Sequence, residues 1–228
     1  MTSFTQHLER LRYDLGRQGD RCMELTLRAV ESYFEGDQAK AADVIKGDES
    51  IDRVDVEIER GSIELLAMGE TEAYSIRSVL TIVKINNELE RIADCAVNVA
   101  EVVLDGDSQD DQLPQTFRVM ANSVIGMLRD ANTSLASLDI ELATRVLQFD
   151  DTVDRFKREI TLDAQKQVAA GGIMVDMAFR LLSVVRSLER IADHSTNICE
   201  QVIYLETGKI VRHSSEGWSQ PELPDGDE

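Results

Sequence analysis

Histidine and cysteine are nearly missing from the chain, with three of each in 228 residues. His7, His194 and His213 leave general acid–base chemistry little to work with, and no Ser/His/Asp or Cys/His constellation is legible around them. Cys22, Cys95 and Cys199 are odd in number and form no C-x-x-C pair, so neither a disulfide framework nor a zinc ribbon is expected. That suits a reducing compartment. No Glu-x-x-His occurs, which argues against a ferritin-like di-iron oxidase. No G-x-x-x-x-G-K-[ST] loop is present to cradle a nucleotide's phosphates. No stretch approaches the ~18 apolar residues of a membrane helix, and the opening MTSFTQHLERLRYD lacks the apolar centre of a signal peptide. The expectation is a cytoplasmic, non-enzymatic protein with no direct membrane insertion. Basic residues are also few, 24 Lys plus Arg against 43 Asp plus Glu, for a formal charge of −19. Such a surface repels nucleic acid and anionic membrane and attracts cations or a basic patch on a partner.

Aromatics make up 5% of the chain and proline only three residues, while 43% is hydrophobic. That is the profile of a helical protein with an aliphatic core. Leu8, Leu11, Leu15, Cys22, Leu25 and Ala29 mark a first helix over about 5–35. Gly36 breaks it and Asp37 caps the next. That second helix carries Val44, Gly47, Ile51, Val54, Ile58, Gly61, Leu65 and Met68 at alternating spacings of three and four, the stripe of helices packed side by side. Gly69 stops it, and Thr71-Glu72 opens a third helix to about Leu104. The polar break DGDSQDDQLP separates the halves. Helices over about 114–137, from Asp139 to Gly171, and over about 173–206 follow, then a Pro/Gly-rich tail expected to be disordered.

The two halves repeat one another. A shift of 102 residues places Asp37 on Asp139, Asp48 on Asp150, Asp52-Arg53 on Asp154-Arg155 and Gly69 on Gly171. A shift of 99 aligns LERIADCAVN with LERIADHSTN, and hence Glu90 with Glu189 and Asp94 with Asp193. The expected fold class is all-α, two tandem antiparallel three-helix bundles related by internal duplication. The expected units are residues 1–107, 112–212 and a tail 213–228.

Four pairs of acids recur at i, i+4: Asp48/Asp52, Glu90/Asp94, Asp150/Asp154 and Glu189/Asp193. Each lies one residue off its core stripe, about 100° around the helix, and each pair shares a face. One like-charged pair costs about 0.2–0.5 kcal/mol in an isolated helix, so four placed copies ask for a reason. Carboxylates converging from neighbouring helices make an all-oxygen site suited to Mg, Mn or Fe, with Ca a weaker option. The competing reading is a solvated acidic face on an acidic protein. His194 has Cys95 as its repeat counterpart and is expected to pack rather than to ligate. Asn98 and Asn197 match, as ligand-orienting or packing residues, and Arg91 and Arg190 balance charge.

The duplicated LERIADCAVN and LERIADHSTN, with DQAKAADVIKGDESID and DIELATRVLQFDDTVD before them, resemble the signature of the PhoU family of phosphate-uptake regulators over about residues 5–212. The resemblance implies a frequently dimeric protein with metal at the acidic motifs. It also implies a negative regulatory adaptor between the phosphate ABC transporter ATPase and a sensor histidine kinase. The metal candidates it implies are Asp48, Asp52, Glu90 and Asp94 in one half and Asp150, Asp154, Glu189 and Asp193 in the other. Asp55 of the first half faces Lys157 in the second, so the two sites are expected to differ in affinity. The alternatives are regulation of a different ion transporter, a metal-dependent enzyme acting on phosphate compounds, and a purely structural helical dimer.

Overall fold

A computed structural model of the chain describes residues 3–106, 114–214 and 217–219. Six helices account for nearly all of them: α1 Ser3–Glu35, α2 Gln38–Ala67, α3 Ala73–Leu104, α4 Gln115–Ser137, α5 Ile140–Ala169 and α6 Val175–Thr207. Most of the polar break between α3 and α4 lies outside the described residues. The backbone of Arg212–Ser214 pairs antiparallel with Gly217–Ser219. Part of the segment expected to be unstructured therefore holds a short hairpin, and the rest of that expectation falls outside the described residues.

The helix starts follow the side chains available to cap them. Asp37 accepts from the Lys40 N–H and Asp139 from the Leu142 N–H, at equivalent points of the two halves. Glu72 accepts from the N–H groups of Tyr74 and Ser75. Just before the Asp caps the chain turns through a left-handed residue, Gly36 at φ 62° in one half and Leu138 at φ 54° in the other. A left-handed leucine costs roughly 1–2 kcal/mol that glycine avoids, so the second turn is held by its surroundings.

The core stripes interlock as their periodicity implies. Ile85, Leu89, Ile92, Ala96 and Val99 of α3 and Leu188, Ile191, Ile198 and Val202 of α6 are fully buried. Burying each of the Leu, Ile and Val side chains among them contributes about 1.5–3 kcal/mol. The hydrophobic cluster runs without a gap from α1 to α6, because α3 packs along α6 and α1 also reaches α4. The two bundles thus share one core.

Helices α3 and α6 lie antiparallel at the seam. Tyr74 at the start of α3 meets Glu206 near the end of α6, Arg77 Nε donates to the Leu205 carbonyl at 3.0 Å, and Glu88 meets His194 and Asn197 mid-way. Arg77 lies over the rings of Tyr74 and Tyr204, at 5.7 and 5.9 Å from their centroids. The 99-residue shift therefore exchanges α3 with α6 about a pseudo-twofold axis near Arg91 and Arg190.

Candidate metal centres

The acids paired in the sequence fall into two patches in which they act on one another's charge, but in neither, among the described residues, are three of them close enough to hold a metal ion. In the first half α2 packs on α3, and Asp48, Asp52, Glu90 and Asp94 come within electrostatic reach of one another. Desolvation, then the charges of Asp52 and Asp94, push the Asp48 carboxyl up to about 6. Glu90 is also raised, by burial and then by Asp94, with Asp55 and Asp52 adding to it against the pull of Arg91. Asp55 joins the patch as a fifth carboxylate. It is raised by burial, Glu59 and Asp52, and it is held in place by Asn86, whose Nδ2 donates to its Oδ1 at 2.6 Å.

The second half repeats the patch between α5 and α6. Desolvation, then Glu189 and Asp150, push Asp193 up to about 6, with Asp154 adding to them and His194 opposing. At one position the two patches differ in the sign of a charge. Where the first half has Asp55, the second has Lys157, whose Nζ donates to Glu189 Oε1 at 2.6 Å.

Glu90 Oε2 is buried and accepts no hydrogen bond, with Arg91 Nε 3.8 Å away. An anionic oxygen stripped of water and left without a donor is costly, and a cation would satisfy it. The donor set of hard carboxylate oxygens fits Mg, Mn or Fe. Among the described residues no three His, Cys, Asp or Glu side chains are gathered into a ready-made cage; mutual repulsion favours side chains held apart. The acids of the first patch are of the right chemistry for a cation, while in the second Lys157 already pairs with Glu189.

Other residues singled out in the sequence also have definite places. His194 packs at the seam as expected, its Nδ1 2.7 Å from Glu88 Oε2. Asn197 Nδ2 donates to the same oxygen at 3.0 Å. The matching Asn98 is exposed on the cleft between α3 and α6. Glu88, the acid that joins the bundles through these contacts, was not expected. Its signal lay in the repeat, where Ser187 stands at the equivalent position.

The sequence matches the model of the PhoU domain twice, over residues 15–103 and 117–202. The chain belongs to the PhoU family. It is 30% identical over 94% of its length to "Phosphate-specific transport system accessory protein PhoU homolog 1" of Thermotoga maritima, covering 93% of that protein. It is 28% identical over 92% of its length to "Phosphate-specific transport system accessory protein PhoU" of Escherichia coli, covering 88% of that one. The fold matches the crystal structure of the phosphate transport system regulatory protein PhoU from Streptococcus pneumoniae with a TM-score of 0.85 at 25% identity, over 92% of this chain and all of the other. It matches PhoU from Pseudomonas aeruginosa at 0.84 and 29% identity, over 90% of this chain and all of the other. The doubled domain match agrees with the internal repeat. No described helix is long and apolar enough to cross a membrane.

Proposed function

We propose that this PhoU-family chain is a non-catalytic regulator of phosphate uptake that works in the cytoplasm as a homodimer. In this reading it is a negative-regulatory adaptor between the phosphate ABC transporter ATPase and a sensor histidine kinase. A divalent or trivalent cation, Mg, Mn or Fe, is held by Asp48, Asp52, Glu90 and Asp94 in the first half. A second is held more weakly by Asp150, Asp154, Glu189 and Asp193. Bound there, the cation supplies neutralising charge. The chain's own residues do the rest: paired acids on α2 and α3 tie those helices to one site, as do those on α5 and α6.

The observation that carries the reading is the pair of carboxylate patches at equivalent points of the repeat, the first with a buried, unsatisfied oxygen on Glu90. The relatives' names, as accessory proteins of phosphate-specific transport, support the regulatory role. The test is a Mn or Mg titration of wild type and of Asp94→Asn with Asp193→Asn, followed by melting temperature and by elemental analysis. At about a hundredfold above the Kd, a bound cation stabilises by about 2.7 kcal/mol per site. The double variant should lose most of that rise. An equal response in the two proteins would rule out the sites, and failure to co-purify with a phosphate-transporter ATPase would rule out the adaptor role.

A further inference from the structure

The pseudo-twofold seam between α3 and α6 should present the same cleft twice, yet only one copy is filled from within. In the filled copy the Glu88 carboxylate is the plug. It accepts from Asn197 at 3.0 Å and lies 2.7 Å from His194 Nδ1. That cleft is thus built for an anion and contains one.

In the other copy the 99-residue shift puts Ser187 for Glu88, Asn98 for Asn197, Cys95 for His194 and Arg190 for Arg91. Serine is too short to reach across. Its hydroxyl instead donates to the Ser183 carbonyl on its own helix at 3.2 Å. A cleft of about 370 Å³ is left, lined by Asn98, Glu101 and Asp105 of α3 and by Ser183, Arg186 and Arg190 of α6. Arg186 replaces Asn87 and adds a second guanidinium four residues from the first, so the two share a face. Among the described residues neither arginine makes an ion pair or a side-chain hydrogen bond. Two arginines on one wall, neither in an ion pair, give the cleft a local positive charge within a chain of net charge −19.

We propose that this cleft binds hydrogen phosphate where the other half seats its own Glu88 carboxylate. Guanidinium forks match phosphate oxygens in pairs, and the Asn98 amide adds a neutral donor. The acids on the facing wall set the choice among oxyanions. Glu101 and Asp105 repel a fully ionised anion, but either accepts a hydrogen bond from a P–OH group. Sulfate carries no proton at neutral pH and has only the repulsion.

The test uses the full chain at low ionic strength with a chelator present, so that phosphate held through a cation at the acidic patches does not contribute. Inorganic phosphate and sulfate are titrated by calorimetry at matched ionic strength. Phosphate should bind with a Kd of about 1 mM or tighter, and sulfate at least ~10-fold more weakly. Arg186→Gln, at an exposed position, should weaken phosphate by ~10-fold or more. Ser187→Glu supplies the plug found in the other half and should abolish phosphate binding while raising the melting temperature. Ser187 is buried, so the arginine variant carries the test if the glutamate does not fold. Absence of phosphate binding in wild type, equal affinity for sulfate, or undiminished binding in the folded variants would overturn the assignment. A phosphate monoester, mostly without a P–OH proton at pH 7 because its second pKa is about 6, should bind more weakly than phosphate, and equal or tighter binding of the ester would overturn the selection by Glu101 and Asp105.

Discussion

Replacing Asp48 by Asn tests the first acidic patch through proton linkage as well as through metal. Asp48 sits half-buried on α2 with its carboxyl pushed up from 3.8 to about 6 by desolvation, Asp52 and Asp94. A raised acid pKa means that the fold disfavours the ionised form. The penalty is absent below pH 3.8, grows as pH rises through the window from 3.8 to about 6, and is fully present above it. A gap of about two pKa units corresponds to about 3 kcal/mol. Asp48 is partly open to water, and screening reduces this to about 1 kcal/mol. In chelator at pH 7, Asp48→Asn should therefore be more stable than wild type by about 1 kcal/mol, or roughly 2–4 °C in Tm for a chain of this size. By pH 4 the advantage should have largely vanished. Saturating Mn should reverse the order at pH 7, because a cation stabilises only the protein that still has its ligand. Melting curves of both proteins at pH 4, 5, 6 and 7, with chelator and with Mn, give the full matrix. A variant less stable than wild type at pH 7 without metal, or a difference that does not change with pH, would refute the account of the patch as repelling carboxylates.

Lys157→Gln should destabilise the metal-free protein by about 0.5–1 kcal/mol through loss of the Glu189 pair, yet tighten cation binding in the second half; metal titration of a variant whose first patch is disabled would show either result. Leu89→Ala, deep in the shared core, should cost about 2–5 kcal/mol and lower one common unfolding transition; two separable transitions in calorimetry would contradict a core shared by the bundles. The buried thiols should resist alkylation in the native state at pH 8, because burial pushes Cys199 up to about 12 and Cys95 up to about 11 and likewise raises Cys22; mass spectrometry showing modification before unfolding would disprove this. Glu88→Gln keeps the size of the seam's plug but removes its charge, and should lower stability by about 1–3 kcal/mol, read from urea midpoints.

Most of the architecture was legible because its signals are local. Asp37 and Asp139 are cap residues, Gly69 and Gly171 are stop residues, and the stripes at three and four say which face of each helix is buried. The patch members were legible for the same reason, being paired at i, i+4 one step off those stripes. Leu138 was not, since leucine is no turn residue, and only its repeat partner Gly36 announces the left-handed geometry. The seam was also hidden. Periodicity shows that α3 and α6 are apolar on one face, but not that each is the other's neighbour. Of the Glu88 network only His194 and Asn197 stood out in the sequence, with nothing to join them. The Asp55/Lys157 difference was visible in the sequence, whereas the 2.6 Å contact with Glu189 needed the helices in place.

Placed side by side, the two halves have diverged by the same physical move made in opposite senses. At the acidic patches the second half carries its own counter-charge, Lys157 on Glu189, while the first leaves Glu90 Oε2 buried without a donor. At the seam one cleft carries its own anion, Glu88, and the equivalent cleft has Ser187 and open space. In each case a charge supplied from within removes the demand for a ligand, and its absence at the duplicate position restores it. Two coupled substitutions follow. Asp55→Lys should satisfy Glu90, as Lys157 does Glu189, and weaken cation binding in the first half. Glu88→Ser should open the closed cleft but, with Asn87 where the other half has Arg186, should leave a weaker anion site than its twin. Binding of cation at wild-type strength by Asp55→Lys would break the argument, because a neutralised patch should gain far less from the ion than one whose carboxylates repel.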